Sequence, residues 1–245
     1  LYGISEWILG GGRIGSLLGN AAFFAGYLGI ALFATLAAAE KLPTVWRRVV
    51  LGGAGLQVVA IILTATRGTM LALVVALLVY LVYRAFFGIG KSTTTLYALG
   101  TLVLLGGFFF ALRGSLANVP FEPIARIASI SLSDGTVSSR LFIWSNMLTE
   151  IGKSPWLGVG AEHIDVLFNR FYDPTQLYEQ WFDRSHNAFL DYAAQYGIGG
   201  FFLYVALIAA FVTSALRLAR KNEKWFAGIA GLLAVTYATQ NFFVF

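Results

Sequence analysis

Residues 20–39 read NAAFFAGYLGIALFATLAAA, a run of twenty residues that contains no charged side chain. A helix of about 20 apolar residues, rising about 1.5 Å per residue, crosses a hydrocarbon core roughly 30 Å thick. This stretch therefore predicts a membrane-spanning helix. Five further apolar stretches follow, so we predict six spans in all, at residues 20–39, 49–66, 69–82, 96–112, 188–216 and 225–245.

The composition of the whole chain supports the same class. Of its 245 residues, 58% are hydrophobic and 12% are charged, whereas a soluble domain has about 25% charged residues. Spans in lipid must be helices or closed barrels, and these runs lack the alternating pattern of barrel strands. We predict an all-α polytopic integral membrane protein. Nucleic-acid binding is not expected, because the 17 Lys and Arg residues form no dense stripe.

Basic residues in the short loops predict the orientation of the spans. Nine of them fall on one side, which we assign to the cytoplasm: Lys41, Arg47, Arg48, Arg84, Lys91, Arg217, Arg220, Lys221 and Lys224. The chain then divides into a four-span region (1–112), an extracytoplasmic segment (113–187) and a two-span region (188–245), in one integrated domain. Because the sequence opens without Met and stops inside an apolar run, we expect a longer parent chain.

The extracytoplasmic segment is too long for a structureless loop, and its periodicity predicts two amphipathic helices. The first, at about 140–151, carries an apolar stripe of Leu141, Trp144, Leu148 and Ile151. The second, at about 161–172, carries a stripe of Ile164, Leu167, Phe168 and Phe171. Such helices lie along a membrane surface or cap a cavity that opens there. In the fifth span, a glycine cluster that begins at Gly197 predicts a kink or a close helix approach.

Several polar side chains recur on the outer side of the predicted membrane. Arg67 lies between the second and third spans, Arg140 opens the first amphipathic helix, and His186 stands where the chain re-enters the membrane. Guanidinium groups suit phosphate oxygens, and imidazole is well suited to removing a proton from a hydroxyl. The set fits chemistry on a diphosphate leaving group with a hydroxyl acceptor. Candidate substrate-binding residues flank the histidine: Arg184, Asn187 and Asp191.

Each of these residues also has a structural interpretation. Arg67 fits a helix end that snorkels to the interface, Arg140 a solvated residue, and His186 an interfacial hydrogen bond. Asp191 fits a carboxylate near a helix start, stabilised by the helix dipole. The sequence shows no cluster of carboxylates or histidines at ligand spacing, so we expect neither a metal nor another cofactor.

Five segments in order resemble the O-antigen ligase / O-antigen polymerase family of bacterial polysaccharide enzymes. They are 19–28 (GNAAFFAGYL), 66–72 (TRGTMLA), 139–144 (SRLFIW), 154–160 (SPWLGVG) and 185–191 (SHNAFLD). The resemblance spans nearly the whole chain and corresponds to the C-terminal portion of family members. The family often has Pro-Asn where this chain has Ala21-Ala22, so a polar role for that second Asn is absent here.

The resemblance implies a glycosyltransferase of the bacterial cytoplasmic membrane. It implies an undecaprenyl-diphosphate-linked glycan as donor and a sugar hydroxyl as acceptor at the outer face. That hydroxyl belongs to lipid A-core in a ligase or to a growing glycan in a polymerase, and both alternatives stay open. Arg67, Arg140 and His186 match the family's functional positions.

Two functions of other classes compete with this interpretation. A polytopic helical chain also fits a transporter of a small solute such as inorganic carbon, which places ionisable groups near the membrane midplane between broken helices. The charges of this chain cluster outside the apolar spans instead, which favours chemistry at the surface. The third alternative is a non-catalytic scaffold for polysaccharide assembly.

Overall fold

A computed structural model of the chain describes residues 2–10, 12–87, 92–130, 135–176, 184–221 and 223–243. These residues form ten α-helices and no β-strand, which confirms the all-α class. The helices are α1 (Tyr2–Ile8), α2 (Ala21–Ala39), α3 (Thr44–Leu63), α4 (Arg67–Phe87), α5 (Ser92–Leu116), α6 (Glu122–Ala128), α7 (Gly135–Lys153), α8 (Ile164–Asn169), α9 (Ala188–Arg220) and α10 (Lys224–Phe243).

The chain forms two compact units. Unit 1 consists of Leu1–Ser129 and Phe211–Gln240, and unit 2 consists of Ile130–Ala210 and Asn241–Phe245. Helices α9 and α10 therefore each contribute residues to both units. The predicted division at residues 112 and 187 describes membrane topology, and it stays a prediction.

Five helices of the described residues, α2, α3, α4, α5 and α9, are long and apolar enough to span a membrane. They coincide with the first five predicted spans and confirm a polytopic membrane protein. Helix α10 lies at the sixth predicted span and has 20 residues, but it is not among these five. Its second half is polar, with Thr236, Tyr237, Thr239, Gln240 and Asn241. A sixth crossing of the membrane stays a prediction.

Two spans begin earlier than their apolar runs. Helix α3 begins at Thr44 rather than at residue 49, and it includes Arg47 and Arg48. Helix α4 begins at Arg67 itself, rather than after a turn that contains it, and its last turn includes Arg84. Long basic side chains can reach an interface from inside a helix, so apolar runs mark the hydrocarbon core rather than the helix ends.

Packing between α2 and α3 forms the core of unit 1. Leu28 and Leu32 of α2 form one buried cluster with Ala60 and Ile61 of α3, and Ile14 from the N-terminal segment joins it. The small side chain of Ala60 suits this contact, because close backbone approach drives helix association in lipid. By contrast, α5 leaves most of its apolar side chains exposed, among them Leu104 (74%), Val103 (69%) and Phe108 (66%). Such a face suits contact with lipid.

Hydrogen bonds between helix ends define one end of unit 1, which we call the Arg67 end. Thr66 Oγ1 donates to the carbonyl of Ala21 (3.3 Å), and Gln240 Nε2 donates to that of Ala22 (3.4 Å). The start of α2, the start of α4 and Gln240 of α10 therefore meet there. A side chain at Gly26 would collide with the Gln240 amide, since a Cβ there would lie 2.1 Å from Nε2.

Basic residues mark the opposite end of unit 1, which we call the Lys224 end. Tyr83 Oη donates to the carbonyl of Lys224 (3.1 Å), and Lys224 Nζ donates to the carbonyl of Phe87 (3.0 Å). Lys41 Nζ lies 4.8 Å from the centroid of the Phe226 ring. The end of α2, the end of α4 and the start of α10 meet there.

Unit 2 is built around α7 and α8. Its core joins Ile143 and Met147 of α7 with Ile164, Leu167 and Phe168 of α8. The predicted stripe of the second amphipathic helix is confirmed at these three α8 positions.

The predicted apolar stripe of α7 does not coincide with the face that packs on α8. Leu141 (54%) and Leu148 (59%) are exposed, whereas the buried face carries Ile143 and Met147. Trp144 and Ile151 are partly buried against the core of unit 2. Periodicity could not distinguish a face packed on α8 from an apolar face turned outward.

Helices α7 and α8 also have different bounds from those predicted. Helix α7 runs over Gly135–Lys153 and is longer than the predicted 140–151, whereas α8, Ile164–Asn169, is shorter than 161–172. The chain before α8 has positive φ at Gly158 (+66°), Gly160 (+98°) and Glu162 (+61°). These left-handed residues are incompatible with a helix that begins at residue 161.

Helix α9 is broken at Gly197, where φ is +67° and ψ is −167°. The break confirms the predicted kink. Residues 155–160 supply the backbone partners that the break leaves open: Val159 N–H donates to Ala194 O and Gly160 N–H to Gln195 O (both 2.9 Å), and Ile198 N–H donates to Pro155 O (2.7 Å). In lipid, unpaired backbone groups are very costly, so this segment makes the break possible.

A buried carboxylate joins α7 to the end of α8. Glu150, whose side chain is 6% exposed, accepts hydrogen bonds from Lys153 and from Arg170 Nη1 (3.2 Å). The hydrogen bond from Lys153 is the main cause that lowers the pKa of Glu150, and the bond and charge of Arg170 act in the same direction, while burial opposes them.

This carboxylate predicts acid sensitivity of unit 2. Because the pKa of Glu150 is lowered in the native state, its ion pairs stabilise the fold above the ordinary Glu pKa, about 4.3. That contribution is lost as the pH falls from there through the lowered native value. Glu150→Gln is expected to cost about 1 kcal/mol at pH 7, since both cationic partners are partly exposed.

Melting temperatures of the wild type and Glu150→Gln, measured from pH 7 to pH 3, test this expectation. The two curves should converge at the acid end. The matched control is Glu40→Gln, which removes an exposed ion pair with Arg47 (3.3 Å) and should leave stability unchanged. A constant difference between wild type and Glu150→Gln across the whole range would contradict the assignment.

Candidate functional site

Arg67 is the first residue of α4 and follows a strained turn. Ala65 has φ of +50°, a left-handed conformation that residues with side chains rarely adopt. Thr64 Oγ1 donates to the carbonyl of Ile61 (2.6 Å) and accepts from the N–H of Thr66 (3.3 Å), which holds the turn between α3 and α4. The turn places the Arg67 guanidinium beside the residue that follows α6, where Nη2 donates to Ser129 Oγ (3.2 Å).

Two further arginines lie beside Arg67. Arg13 Nε donates to the carbonyl of Thr64 (3.0 Å) and Nη2 to Thr66 Oγ1 (3.4 Å), so it holds the same turn. Arg126 belongs to α6, and its carbonyl accepts a hydrogen bond from Ser129 Oγ (3.1 Å). Arg13 and Arg126 were not among the residues singled out in the sequence.

The charges of Arg126 and Arg67 both act on the Arg13 guanidinium. The pKa of Arg13 is lowered, first by burial and then by the positive charge of Arg126, with a smaller contribution from Arg67. The Glu122 carboxylate, which pairs with Arg126 at 3.6 Å, acts in the opposite direction. Among the residues that the structure describes, unit 1 therefore gathers these three guanidiniums and the Glu122 carboxylate at the Arg67 end.

Arg140 lies in α7 of unit 2. Its Nη1 donates to the carbonyl of Phe243 at 2.7 Å. Trp144, one helical turn further, packs its ring on Phe242, with 5.5 Å between centroids. Residues four apart share a face of a helix, so Arg140 lies on the α7 face that carries Trp144.

His186 occupies a strained turn immediately before α9. Its φ of +57° is left-handed, and such strain persists only where neighbouring contacts over-determine the conformation. Those contacts involve Ser185, which is fully buried (0%). Asp191 Oδ1 accepts from the Ser185 N–H (3.0 Å), and Trp144 Nε1 donates to the Ser185 carbonyl (2.8 Å). The position of His186 is therefore determined by buried polar contacts from α7 and α9.

The three predicted substrate-binding residues each have a protein partner. Asn187, 2% exposed, caps α9 by accepting from the N–H groups of Phe189 (3.0 Å) and Leu190 (3.3 Å). Asp191 is 1% exposed and holds Ser185. Arg184 Nη2 donates to Glu162 Oε2. Asn187 and Asp191 thus support the His186 turn, while contact of any of the three with substrate stays a prediction.

In unit 2, the α7 face that carries Arg140 contacts the turn that contains His186 through Trp144. Trp144, on the Arg140 face of α7, bonds to the residue next to His186. A guanidinium and an imidazole held together can bind an anionic group and orient a hydroxyl beside it. Arg67 belongs to unit 1, and its meeting with Arg140 and His186 in one pocket stays a prediction.

A comparison with protein families identifies the family to which the chain belongs. The sequence profile of the family described as O-antigen ligase matches residues 52–205, more than half of the chain. The chain belongs to the O-antigen ligase family. A comparison with curated proteins found no match. The matched range contains Arg67, Arg140 and His186, so these three candidate residues all lie in the part of the chain that defines the family.

Membership of the O-antigen ligase family confirms the resemblance. The chain is a multi-pass membrane protein of polysaccharide biosynthesis, with a function of the O-antigen ligase or polymerase type. Among the residues that the structure describes, no three His, Asp or Glu side chains are grouped as metal ligands would be.

Arg13 and Arg126 could not be recognised as neighbours of Arg67 from the sequence of this O-antigen ligase family member. Arg13 is 51 residues from Thr64 and Arg126 is 59 residues after Arg67, so only tertiary structure brings them together. One sequence signal was available: Arg13 interrupts a glycine-rich stretch, Gly10 to Gly15, just before the outer end of the first predicted span. The predicted orientation places that stretch on the same side as Arg67.

Proposed function

We propose that the chain transfers a glycan from an undecaprenyl-diphosphate-linked donor to a sugar hydroxyl at the outer face of the cytoplasmic membrane. Arg67 and Arg140 hold the diphosphate and stabilise the charge that develops on the leaving group. His186 orients or deprotonates the acceptor hydroxyl. The hydroxyl oxygen forms the new bond to the anomeric carbon as the bond to the diphosphate oxygen breaks, in one inverting step without a metal. Family membership is the observation that carries this proposal.

The geometry of the His186 turn supports its role. The turn combines a left-handed φ of +57° with buried hydrogen bonds from Trp144 and Asp191. Strain of this kind concentrates at functional sites, where it aims a side chain. A general base must be held in a defined position relative to the proton that it removes, and these contacts hold the backbone that carries the imidazole.

The predicted orientation supports an active site on the outer face. The Lys224 end contains Lys41 and Lys224, which are basic residues of the short loops. Such residues favour the cytoplasmic side, which supports an outward orientation of the opposite Arg67 end. The donor's polyprenyl tail stays in the bilayer while its diphosphate meets the guanidiniums.

The break in α9 supports transfer over solute transport. Transporters use broken helices whose free carbonyls and helix ends coordinate ions near the midplane. Here the carbonyls of Ala194 and Gln195 accept backbone N–H groups of Val159 and Gly160 instead. The break is filled by the protein's own chain, which leaves these carbonyls occupied.

The test is glycan transfer by purified full-length protein in vesicles that contain a lipid-linked donor and an acceptor. Arg67→Ala and Arg140→Ala are each expected to reduce kcat/KM by about 10²-fold or more, because each removes a charge-stabilising group. Membrane insertion should be retained. Full transfer by either variant would refute the role of that arginine. Flux of a small solute in the same vesicles without any transfer would instead establish a transporter.

A further inference from the structure

The turn between α7 and α8 carries two large apolar side chains that unit 2 leaves exposed. Trp156 is 76% exposed and Leu157 is 84% exposed. Their neighbours along the chain are used by the protein itself, since Val159 packs against the core of unit 2 and Ile164 is buried in it. We call residues 156–157 the apolar tip.

Hydrogen bonds hold the backbone on both sides of the apolar tip. The Gly158 N–H donates to the carbonyl of Ser154 (3.2 Å), and Ser154 Oγ donates to the carbonyl of Gly158 (3.2 Å), so the two ends of the turn are joined. The Pro155 carbonyl accepts from the N–H of Ile198 (2.7 Å). A Cβ at Gly158 would lie 2.4 Å from the carbonyl oxygen of Ala194, so the turn lies directly against the backbone of α9. The apolar tip is therefore fixed to the break in α9.

The position of that break along α9 indicates where the apolar tip lies relative to the membrane. Residues 198–216 contain no charged side chain, and a helix of about 20 apolar residues crosses a hydrocarbon core roughly 30 Å thick. The part of α9 after the break can therefore cross the core by itself. Before the break, α9 carries the polar residues Asp191 and Gln195. This division places the break at Gly197 at a face of the membrane, with the apolar tip beside it.

The exposed side chains of α9 near the break have the composition of a membrane boundary. Tyr192 and Tyr196 are exposed before it, with their ring centroids 5.8 Å apart, and Phe202 and Leu203 are exposed after it. Tyrosine and tryptophan concentrate where an apolar ring meets lipid and its polar group meets water. Trp156 adds an indole to this boundary, so the apolar tip continues the lipid-facing surface of α9.

We propose that the apolar tip inserts into the leaflet at which α9 enters the membrane, with Trp156 and Leu157 at the boundary between headgroups and acyl chains. The partner is the lipid bilayer itself. A stable protein–protein interface uses about 20–30 residues on each side, whereas this turn offers a pair of apolar side chains that continue a lipid-facing surface. The inference goes beyond the proposed function and does not depend on it.

Insertion of the apolar tip has a consequence for the break in α9. Transporters place broken helices near the membrane midplane, where substrate and ions bind. Because Pro155 is bonded across the break to Ile198, a tip that is held in the boundary keeps the break at the membrane surface. The break then serves to hold unit 2 on the bilayer rather than to line a path for a solute.

Quenching of Trp156 fluorescence by brominated phosphatidylcholine tests the proposal. The sequence has six Trp residues, so the emission of Trp156 is taken as the difference between full-length wild type and Trp156→Phe in phosphatidylcholine vesicles. Bromine near the glycerol end of the acyl chains should remove most of this emission, whereas bromine near the methyl end and iodide in the water should remove little. The matched control is Trp144→Phe. That indole is partly buried and bonded to Ser185, so its emission should resist all three quenchers.

Every other outcome overturns the proposal and identifies a different surrounding for the apolar tip. Quenching by iodide alone would place the tip in water. Resistance to all three quenchers would show that protein covers it, such as a second copy of the chain. Strongest quenching by bromine near the methyl end would place the tip and the break deep in the hydrocarbon core, as in a transporter.

Spin labelling covers the case in which Trp156→Phe disturbs the turn. The sequence contains no Cys, so Leu157→Cys can carry a nitroxide while Trp156 is kept. Its collisions with oxygen, which concentrates in lipid, should exceed its collisions with a water-soluble nickel chelate. Leu203→Cys should show the same preference more strongly, and Asn169→Cys, at the exposed end of α8, should show the reverse. A label at Leu157→Cys that behaves like the one at Asn169→Cys would overturn the proposal. Neither experiment measures glycan transfer, so the proposed function is tested separately.

Discussion

Replacing His186 with Ala is expected to lower the rate of glycan transfer by about 10²- to 10⁴-fold, the usual contribution of a general base. The reason is local. The turn before α9 carries one imidazole, and the buried hydrogen bonds from Trp144 and to Asp191 are made by the backbone of Ser185. Loss of the ring removes the proposed base and leaves the two hydrogen bonds of the Ser185 backbone in place. Binding of undecaprenyl diphosphate should be retained, so the loss should appear in kcat.

The chain offers a matched control for this variant. It contains two histidines, and the other, His163, precedes α8 with Nδ1 2.6 Å from the carbonyl of Ala161. His163→Ala should transfer glycan at the wild-type rate. Equal rates for both variants in a reconstituted assay would contradict the role assigned to His186.

Replacing Gly197 with Ala is expected to destabilise unit 2 by about 2 to 5 kcal/mol, the sum of a left-handed backbone and an overpacked site. A Cβ at this position would lie 2.3 Å from the carbonyl oxygen of Trp156 and 2.8 Å from that of Pro155. Relief of that collision must separate the two segments. The hydrogen bond from Ile198 N–H to Pro155 O would then be lost.

Melting temperature in detergent, followed by size-exclusion chromatography, measures this effect. The matched control is Gly199→Ala, two residues along α9, where an added Cβ meets no atom within 4 Å. That variant should be as stable as the wild type or slightly more stable, because Ala favours a helix. A Gly197→Ala protein that melts with the wild type would show that the break in α9 tolerates a side chain.

Much of the fold could be predicted because the membrane simplifies the problem. An apolar run of spanning length must be helical, and five runs are helices. The positions of helix ends could not be predicted, because snorkelling side chains such as Arg47 extend helices past the apolar run. The sequence also could not predict which face of α7 is buried. Leu141 and Ile143 are equally apolar, and only the packing of α8 determines that Ile143 is buried.

For the candidate site too, some residues could be predicted from the sequence and others could not. Arg67 and His186 could be singled out because polar groups at the ends of apolar spans are conspicuous, and Arg140 because it opens a predicted amphipathic helix. All three also match family motifs. The roles of their neighbours could not. Asp191 acts on Ser185 within one helix start, whereas Arg13 acts on a turn 51 residues away. A contact between distant segments leaves no periodic trace in one sequence.

Product analysis in vesicles tests the central claim most directly. Purified full-length protein would be given a defined undecaprenyl-diphosphate glycan and an acceptor, and both products would be quantified. We predict one undecaprenyl diphosphate released for each new glycosidic bond, with inverted anomeric configuration, and neither product with His186→Ala. A new bond of retained configuration, or undiminished bond formation by His186→Ala, would contradict the mechanism.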